Sequence, residues 1–115
     1  MKHRYLCVAS ALLLGACQTV HEVGQRSAVW EATYPMPFEA MANCLAGQWA
    51  RGWKVVPQID QKEQRAVVMI GVYSGVVAEY EVRQSSPTGS RVAWRQAYQY
   101  PLDSRELADR CAGSI

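Results

Sequence analysis

The sequence is poor in the groups that most enzymes use. It has two histidines, His3 and His21, and the first of them lies in a short basic start. His21 alone leaves imidazole acid–base catalysis and most zinc sites without a second ligand or an orienting partner. There is no C-x-x-C pair for redox work. No glycine-rich phosphate loop opens a helix, since Gly71-Val72-Tyr73-Ser74-Gly75 lies between two extended stretches. Charge of one sign is lacking as well. Lys2 and Arg4 supply two of the 12 basic residues, so the remainder sets ten against ten acidic ones. A nucleic-acid surface needs a basic excess, and none is present. These absences point to a non-enzymatic protein with no cofactor, no bound metal and no nucleic-acid partner.

The apolar stretch Leu6 to Leu14 is only nine residues long, where about 20 are needed to cross a bilayer. It follows the basic Met1-Lys2-His3-Arg4 and precedes Leu14-Gly15-Ala16-Cys17, which gives the three zones of an export leader. Leu14 at −3 disfavours the ordinary secretory cut, which wants small residues at −3 and −1. Leu14-Gly15-Ala16-Cys17 instead resembles the lipobox of bacterial lipoproteins: an aliphatic residue at −3, a small residue at −1 and cysteine at +1. The resemblance implies that residues 1–16 are a signal peptide that is removed, and that Cys17 carries a diacylglyceryl group on sulfur and, in general, a further acyl chain such as palmitate on its new amino terminus. Several acyl chains anchor stably where one is marginal. Gln18 follows the cysteine where aspartate would signal retention in the inner membrane. The resemblance therefore implies lipid anchoring at the outer membrane, facing the periplasm. The rest of the chain is similar to small proteobacterial lipoproteins, a likeness that carries no function.

Residues 17–27 read as the lipidated cysteine and a polar tether, and residues 28–115 as one α+β domain. Ala28 to Tyr34 alternates as a half-buried strand until Pro35 and Pro37 stop it. Phe38, Met41, Ala42, Leu45 and Trp49 then form a helical stripe, with Pro37 suited to its first turn and Gly52 to its end. From Trp53 the period changes to two. Trp53, Val55 and Ile59 share a face with Pro57, which argues for an edge strand. Arg65 to Tyr73 is apolar on both faces, as an inner strand would be. Val76, Ala78, Tyr80 and Val82 face one way, and Glu79, Glu81 and Arg83 the other. Ser85 to Ser90 reads as a hairpin loop. The following strand shows Val92, Trp94, Tyr98 and Tyr100, with Gln96 as the polar exception. Matching the apolar faces across that hairpin sets Tyr80 opposite Trp94, Val82 opposite Val92 and Glu79 opposite Arg95. The final helix starts at Asp103, with Glu106 three residues on and Leu102 and Leu107 placed as a staple. The expected order is β-α-β-β-β-β-α, a mostly antiparallel sheet with both helices on one face.

Of the four cysteines, Cys7 leaves with the leader and Cys17 takes the lipid. Cys44 and Cys111 remain, one on each helix. In an oxidising periplasm such a pair forms a disulfide; two buried free thiols are the alternative. Glu79, Glu81 and Arg95 are the candidate binding surface. The function expected is that of an envelope accessory or assembly factor that binds a protein partner through the open sheet face or an edge strand. A small-ligand or peptidoglycan-binding module is the alternative.

Overall fold

Each alternating stretch has one apolar face to bury, and a single sheet with helices on one side satisfies them all. The computed structural model describes residues 23–50, 54–72, 75–97 and 103–113. Its elements are β1 (Trp30–Tyr34), α1 (Phe38–Trp49), β2 (Lys54–Asp60), β3 (Arg65–Val72), β4 (Gly75–Ser86), β5 (Gly89–Gln96) and α2 (Ser104–Gly113). The strands lie in the order β1-β5-β4-β3-β2, and every neighbouring pair is antiparallel. This is the expected α+β order. β1 and β2 occupy opposite edges, so α1 crosses the sheet to connect them. Pro57 lies in the edge strand β2, where its missing N–H interrupts no inner ladder.

The helical stripe on α1 is buried as the spacing requires, with Phe38, Met41, Ala42, Leu45 and Trp49 all inside. The start of α1 is not self-capped. Pro37 is the N-cap residue rather than a first-turn residue, and the Phe38 amide donates to Gln84 Oε1 on β4 at 2.9 Å. A side chain 46 residues away thus satisfies one of the helix's orphan donors. The helix ends at Trp49 with Ala50 as its C-cap; the expected stop at Gly52 lies outside the described residues. Asp103 caps α2, its Oδ1 accepting from the amides of Arg105 and Glu106, both at 3.1 Å. Glu106 gives its own carboxylate to Arg110 at 2.8 Å. The other half of the expected staple, Leu102, lies outside the described residues, as do Trp53, Tyr98 and Tyr100.

The β4–β5 register is the one that face matching requires: Tyr80 opposes Trp94, Val82 opposes Val92 and Glu79 opposes Arg95. The hairpin connection is shorter than the expected six-residue loop. The strands run to Ser86 and resume at Gly89, leaving only Pro87 and Thr88 between them. An irregularity between Gln84 and Ser86 absorbs the difference. Glycine is needed at position 89 for closeness. A Cβ there would lie 2.8 Å from Ser86 Oγ and 3.0 Å from the Tyr34 carbonyl oxygen. At the other hairpin, Gln64 takes the left-handed conformation at φ 50°, and Asp60 Oδ1 accepts from the Glu63 amide.

Aromatic rings fill the centre of the helix–sheet layer. Trp49 stacks on Trp94 with centroids 5.7 Å apart and 18° between planes. Tyr80 packs against Trp94 at 4.6 Å and meets the edges of Trp30 and Trp49. The Tyr80 hydroxyl accepts from Trp49 Nε1 at 2.9 Å and donates to the Ser104 carbonyl at 2.8 Å. Ser104 Oγ in turn accepts from Trp30 Nε1 at 2.8 Å. Burial holds the Tyr80 phenol well above the usual tyrosine range, although the Trp49 hydrogen bond acts the other way. Gln96, the polar exception on its strand, accepts from the Trp94 indole at 2.7 Å. Cys44 and Cys111 form the disulfide, with Cα atoms 5.9 Å apart and a separation of 67 in sequence.

Three outcomes follow for stability. Tyr80→Phe removes the acceptor of the buried Trp49 indole N–H and a second donor to the Ser104 carbonyl, and is expected to cost about 1–3 kcal/mol in urea unfolding. Ser90→Ala is expected to change stability by less than about 0.5 kcal/mol, because the buried Ser90 hydroxyl has no hydrogen-bond partner among the described residues. Replacing both Cys44 and Cys111 with alanine is expected to lower stability by roughly 2–4 kcal/mol. Alkylation of the denatured but unreduced protein should leave both residues unlabelled.

Candidate functional site

The strands bury one face and leave the other to charged side chains. On this second face, away from the helices, the register lays out three rows. Asp60, Arg65, Arg83 and Arg91 lie side by side on β2, β3, β4 and β5, with Thr33 next to them on β1. Behind them run Val67, Glu81, Ala93 and Glu31, and then Met69, Glu79 and Arg95. Val67, Met69 and Ala93 are buried although they point away from α1 and α2. Glu79 is buried too, at 3% exposure, which is rare for a carboxylate without a cation beside it.

Glu81 is the hub. Arg65 Nε lies 2.6 Å from its Oε2, Arg83 Nη2 lies 3.2 Å from the same oxygen, and Arg95 Nη1 lies 3.3 Å from Oε1. Arg95 stands directly opposite Glu79 in the register, yet its distance to Glu79 Oε1 is 3.8 Å, longer than its diagonal contact to Glu81. The expected Glu79–Arg95 pair is therefore part of a shared network. Arg91 pairs with Glu31 on β1. Arg65 and Arg83 were not singled out by sequence reasoning. The signal was available in the β3–β4 register, which places Arg65 diagonal to Glu81, but only the β4–β5 register could be anchored by a hairpin.

Residues 23–27, read from sequence as the end of a tether, join this face instead. Val23 is fully buried. The Arg26 carbonyl accepts from Arg95 Nε at 3.0 Å, and the Cα region of Gly24 lies against Glu79, whose Oε1 would be 3.4 Å from a Cβ at that position. The domain thus begins at or before Val23, not at residue 28. A single valine among polar residues gives no periodicity, and a backbone acceptor leaves no trace in composition. Cys17 and His21 lie outside the described residues.

The two glutamates are set in opposite senses. Burial pushes the Glu79 pKa up, Arg95 opposes this, and the neighbouring Glu81 charge adds to it. Burial acts on Glu81 in the same direction. There the hydrogen bond from Arg65, together with the charges of Arg65, Arg83 and Arg95, outweighs burial and pulls the pKa below the usual carboxylate value. Split carboxylates can serve as an acid–base pair. Here three guanidiniums hold Glu81 and the incoming chain lies over Glu79, so the arrangement ties strands and the N-terminal segment together. Among the described residues no group of three His, Cys, Asp or Glu side chains is placed to hold a metal ion, and no helix is long and apolar enough to cross a membrane.

Two open clefts lie near the hairpin tips. One of about 430 Å³ is lined by Gln64, Gln84, Ser85, Ser86 and Pro87. Another of about 400 Å³ runs along Gln58, Ile59, Asp60, Gln61, Arg65 and Val67. Comparison with protein-family models, with curated proteins and with solved structures finds no match to the chain.

Opposite pKa directions give opposite pH responses. Glu79, with its folded pKa raised, favours the folded state below about pH 4.5, and that contribution is lost as pH rises through the raised value. Glu81, with its folded pKa lowered, contributes above about pH 4.5 and loses that contribution as pH falls through the lowered value. Glu79→Gln is therefore expected to be more stable than the parent at pH 7, with the gap closing on acidification. Glu81→Gln is expected to be less stable at pH 7 by about 1–2 kcal/mol, a gap that also closes in acid. Urea unfolding from pH 3 to 8 reads both.

Proposed function

We propose that the chain is the precursor of an outer-membrane lipoprotein, anchored through Cys17 on the periplasmic side, whose domain binds a protein partner of the cell envelope as an accessory or assembly factor. The observation that carries this reading is Leu14-Gly15-Ala16-Cys17 at the end of a basic and then apolar leader. The Cys44–Cys111 disulfide supports it, because such bonds persist in the oxidising periplasm and are rare in the cytosol.

The structure bears on how a partner would be held. The sheet face opposite α1 and α2 is a charged network rather than a flat apolar platform, which removes the simplest hydrophobic docking mode. The sheet edges offer backbone pairing instead. β1 and β2 are the outer strands, and apolar Val29 and Ile59 stand exposed beside them at 59% and 36%. The clefts are open and gather few charged groups, so a small-ligand module ranks second.

Expression in a Gram-negative host with labelled palmitate tests the anchor. The label should enter the protein, and intact-mass analysis should show a chain that starts at a lipid-bearing Cys17. Cys17→Ala should abolish both, and Gln18→Asp should move the labelled protein to the inner-membrane fraction. An unlabelled, soluble product would overturn the reading. In-cell crosslinking from the β1 and β2 edges should recover one envelope protein reproducibly. Only lipid, glycan or self contacts would remove the partner-binding role.

A further inference from the structure

We infer that β1 is a self-association edge, on which a second copy of this chain pairs its own β1 antiparallel across a two-fold axis at Ala32. The two five-stranded sheets join into one of ten strands, and α2 lies alongside α2 of the second copy. The inference goes beyond the partner reading and does not rest on the lipidation of Cys17. It leaves the β2 edge to the envelope partner.

Of the two outer strands, β1 is the one without a guard. Edge strands are normally protected by proline or by charge along the edge. β2 carries Pro57, which has no N–H to give a new neighbour, and Asp60. β1 has no proline and one charged residue, Glu31, whose carboxylate is already held by Arg91. The strand can also meet itself in only one good way. Continuous faces require residues of one face to oppose residues of the same face, so the axis passes through a residue. At Glu31 it would set two carboxylates against each other. At Thr33 it would leave Trp30 with no opposite residue in the strand. At Ala32 all five residues are used: Ala32 meets Ala32, Glu31 meets Thr33 and Trp30 meets Tyr34 of the second copy. A hydroxyl then faces a carboxylate that can accept from it, and two aromatic side chains stand opposite each other. Just outside the strand, Val29, 59% exposed, comes opposite the exposed Pro35.

Charge on α2 points the same way independently. α1 packs over β2 to β5, and α2 sits on the β1 side. There Trp30 Nε1 donates to Ser104 Oγ, and the Tyr34 hydroxyl donates to Asp109 Oδ1 at 2.7 Å. Arg105 lies over the Trp30 ring, 5.9 Å from its centroid. Arg105, Glu106, Asp109 and Arg110 are all exposed on this helix. Glu106 and Arg110 pair with each other, in the order that suits the helix dipole. Arg105 and Asp109 stand in the reverse order, and among the described residues neither belongs to an ion pair. The axis that sets Trp30 opposite Tyr34 also carries Arg105 toward Asp109 of the second copy, and it does so twice. A cation and an anion that each copy leaves over are thereby matched across the interface.

Charge reversal tests the pairing on the mature protein, purified in detergent and read by sedimentation velocity and native mass spectrometry. The parent should form a dimer. Arg105→Glu and Asp109→Lys should each weaken it by about tenfold or more, since each sets like charges together at both contacts. An equal mixture of the two variants should recover the dimer as a heterodimer, because the two reversals restore opposite charge across both contacts. Repair within one chain cannot give that result. A monomeric parent, single variants that dimerise as the parent does, or a mixture that stays monomeric would each overturn the inference. Asp109→Lys removes the acceptor of the Tyr34 hydroxyl, so hydrogen exchange on the parent gives a second reading. Amides of residues 29–34 should exchange faster on dilution, and those of residues 54–60 should not change. No response at 29–34 would overturn the pairing while leaving an envelope partner at β2 untouched. A response at 54–60 in its place would overturn it in favour of the other edge.

Discussion

The Tyr80 hydroxyl, buried near the middle of the sheet, is the contact on which the arrangement of the helices depends. It accepts from the Trp49 indole at the end of α1 and donates to the Ser104 carbonyl at the start of α2. Its ring lies against Trp94 on the next strand and meets the edge of Trp30 beyond it. One side chain therefore positions both helices and three strands. A buried donor and acceptor left unmade are costly in this setting, since the interior offers no water to replace them. The constraint is directional in a way that apolar packing is not. Trp49 and Ser104 have to meet one oxygen, and this sets where α1 ends and where α2 begins over the sheet. The Cys44–Cys111 disulfide then locks the same two helices by a covalent route.

The opposite face is organised by charge. Glu81 gathers three arginines from three strands, and Arg95 links that hub to the backbone of the incoming chain. The network holds β3, β4 and β5 in register while the N-terminal segment lies against it. A sheet with one apolar and one charged face has two distinct surfaces. One surface builds the core, and the other takes up the segment that leads into β1.

Much of this was legible in the residues. The stripe Phe38, Met41, Ala42, Leu45 and Trp49 named the buried side of α1 in full, because helical geometry gives a residue's face directly from its spacing. Parity across the β4–β5 hairpin was enough to pair Glu79 with Arg95 and Tyr80 with Trp94, since a slip by one residue would have turned every apolar side chain outward. Counting cysteines after discounting Cys7 and Cys17 left one pair, and that pair is bridged. The contacts that escaped are of another kind. Gln84 capping α1, Arg65 reaching Glu81 and the Arg26 carbonyl held by Arg95 join segments far apart in sequence through single polar atoms, and no periodicity announces them.

Local order was thus settled by spacing. Which stretches become strand or helix and which faces are apolar are properties of neighbouring residues, and short-range sterics and burial act on them directly. The tertiary structure decided what those faces do to one another. It carried α1 across the sheet to join the opposite edges, and it made a hub of Glu81 rather than a simple pair of Glu79 and Arg95. It also drew Val23–Arg26 out of the tether and onto the charged face. The reason is physical. Charge networks and buried hydroxyls depend on three-dimensional distances of a few ångströms, and only closing the whole sheet brings those distances about.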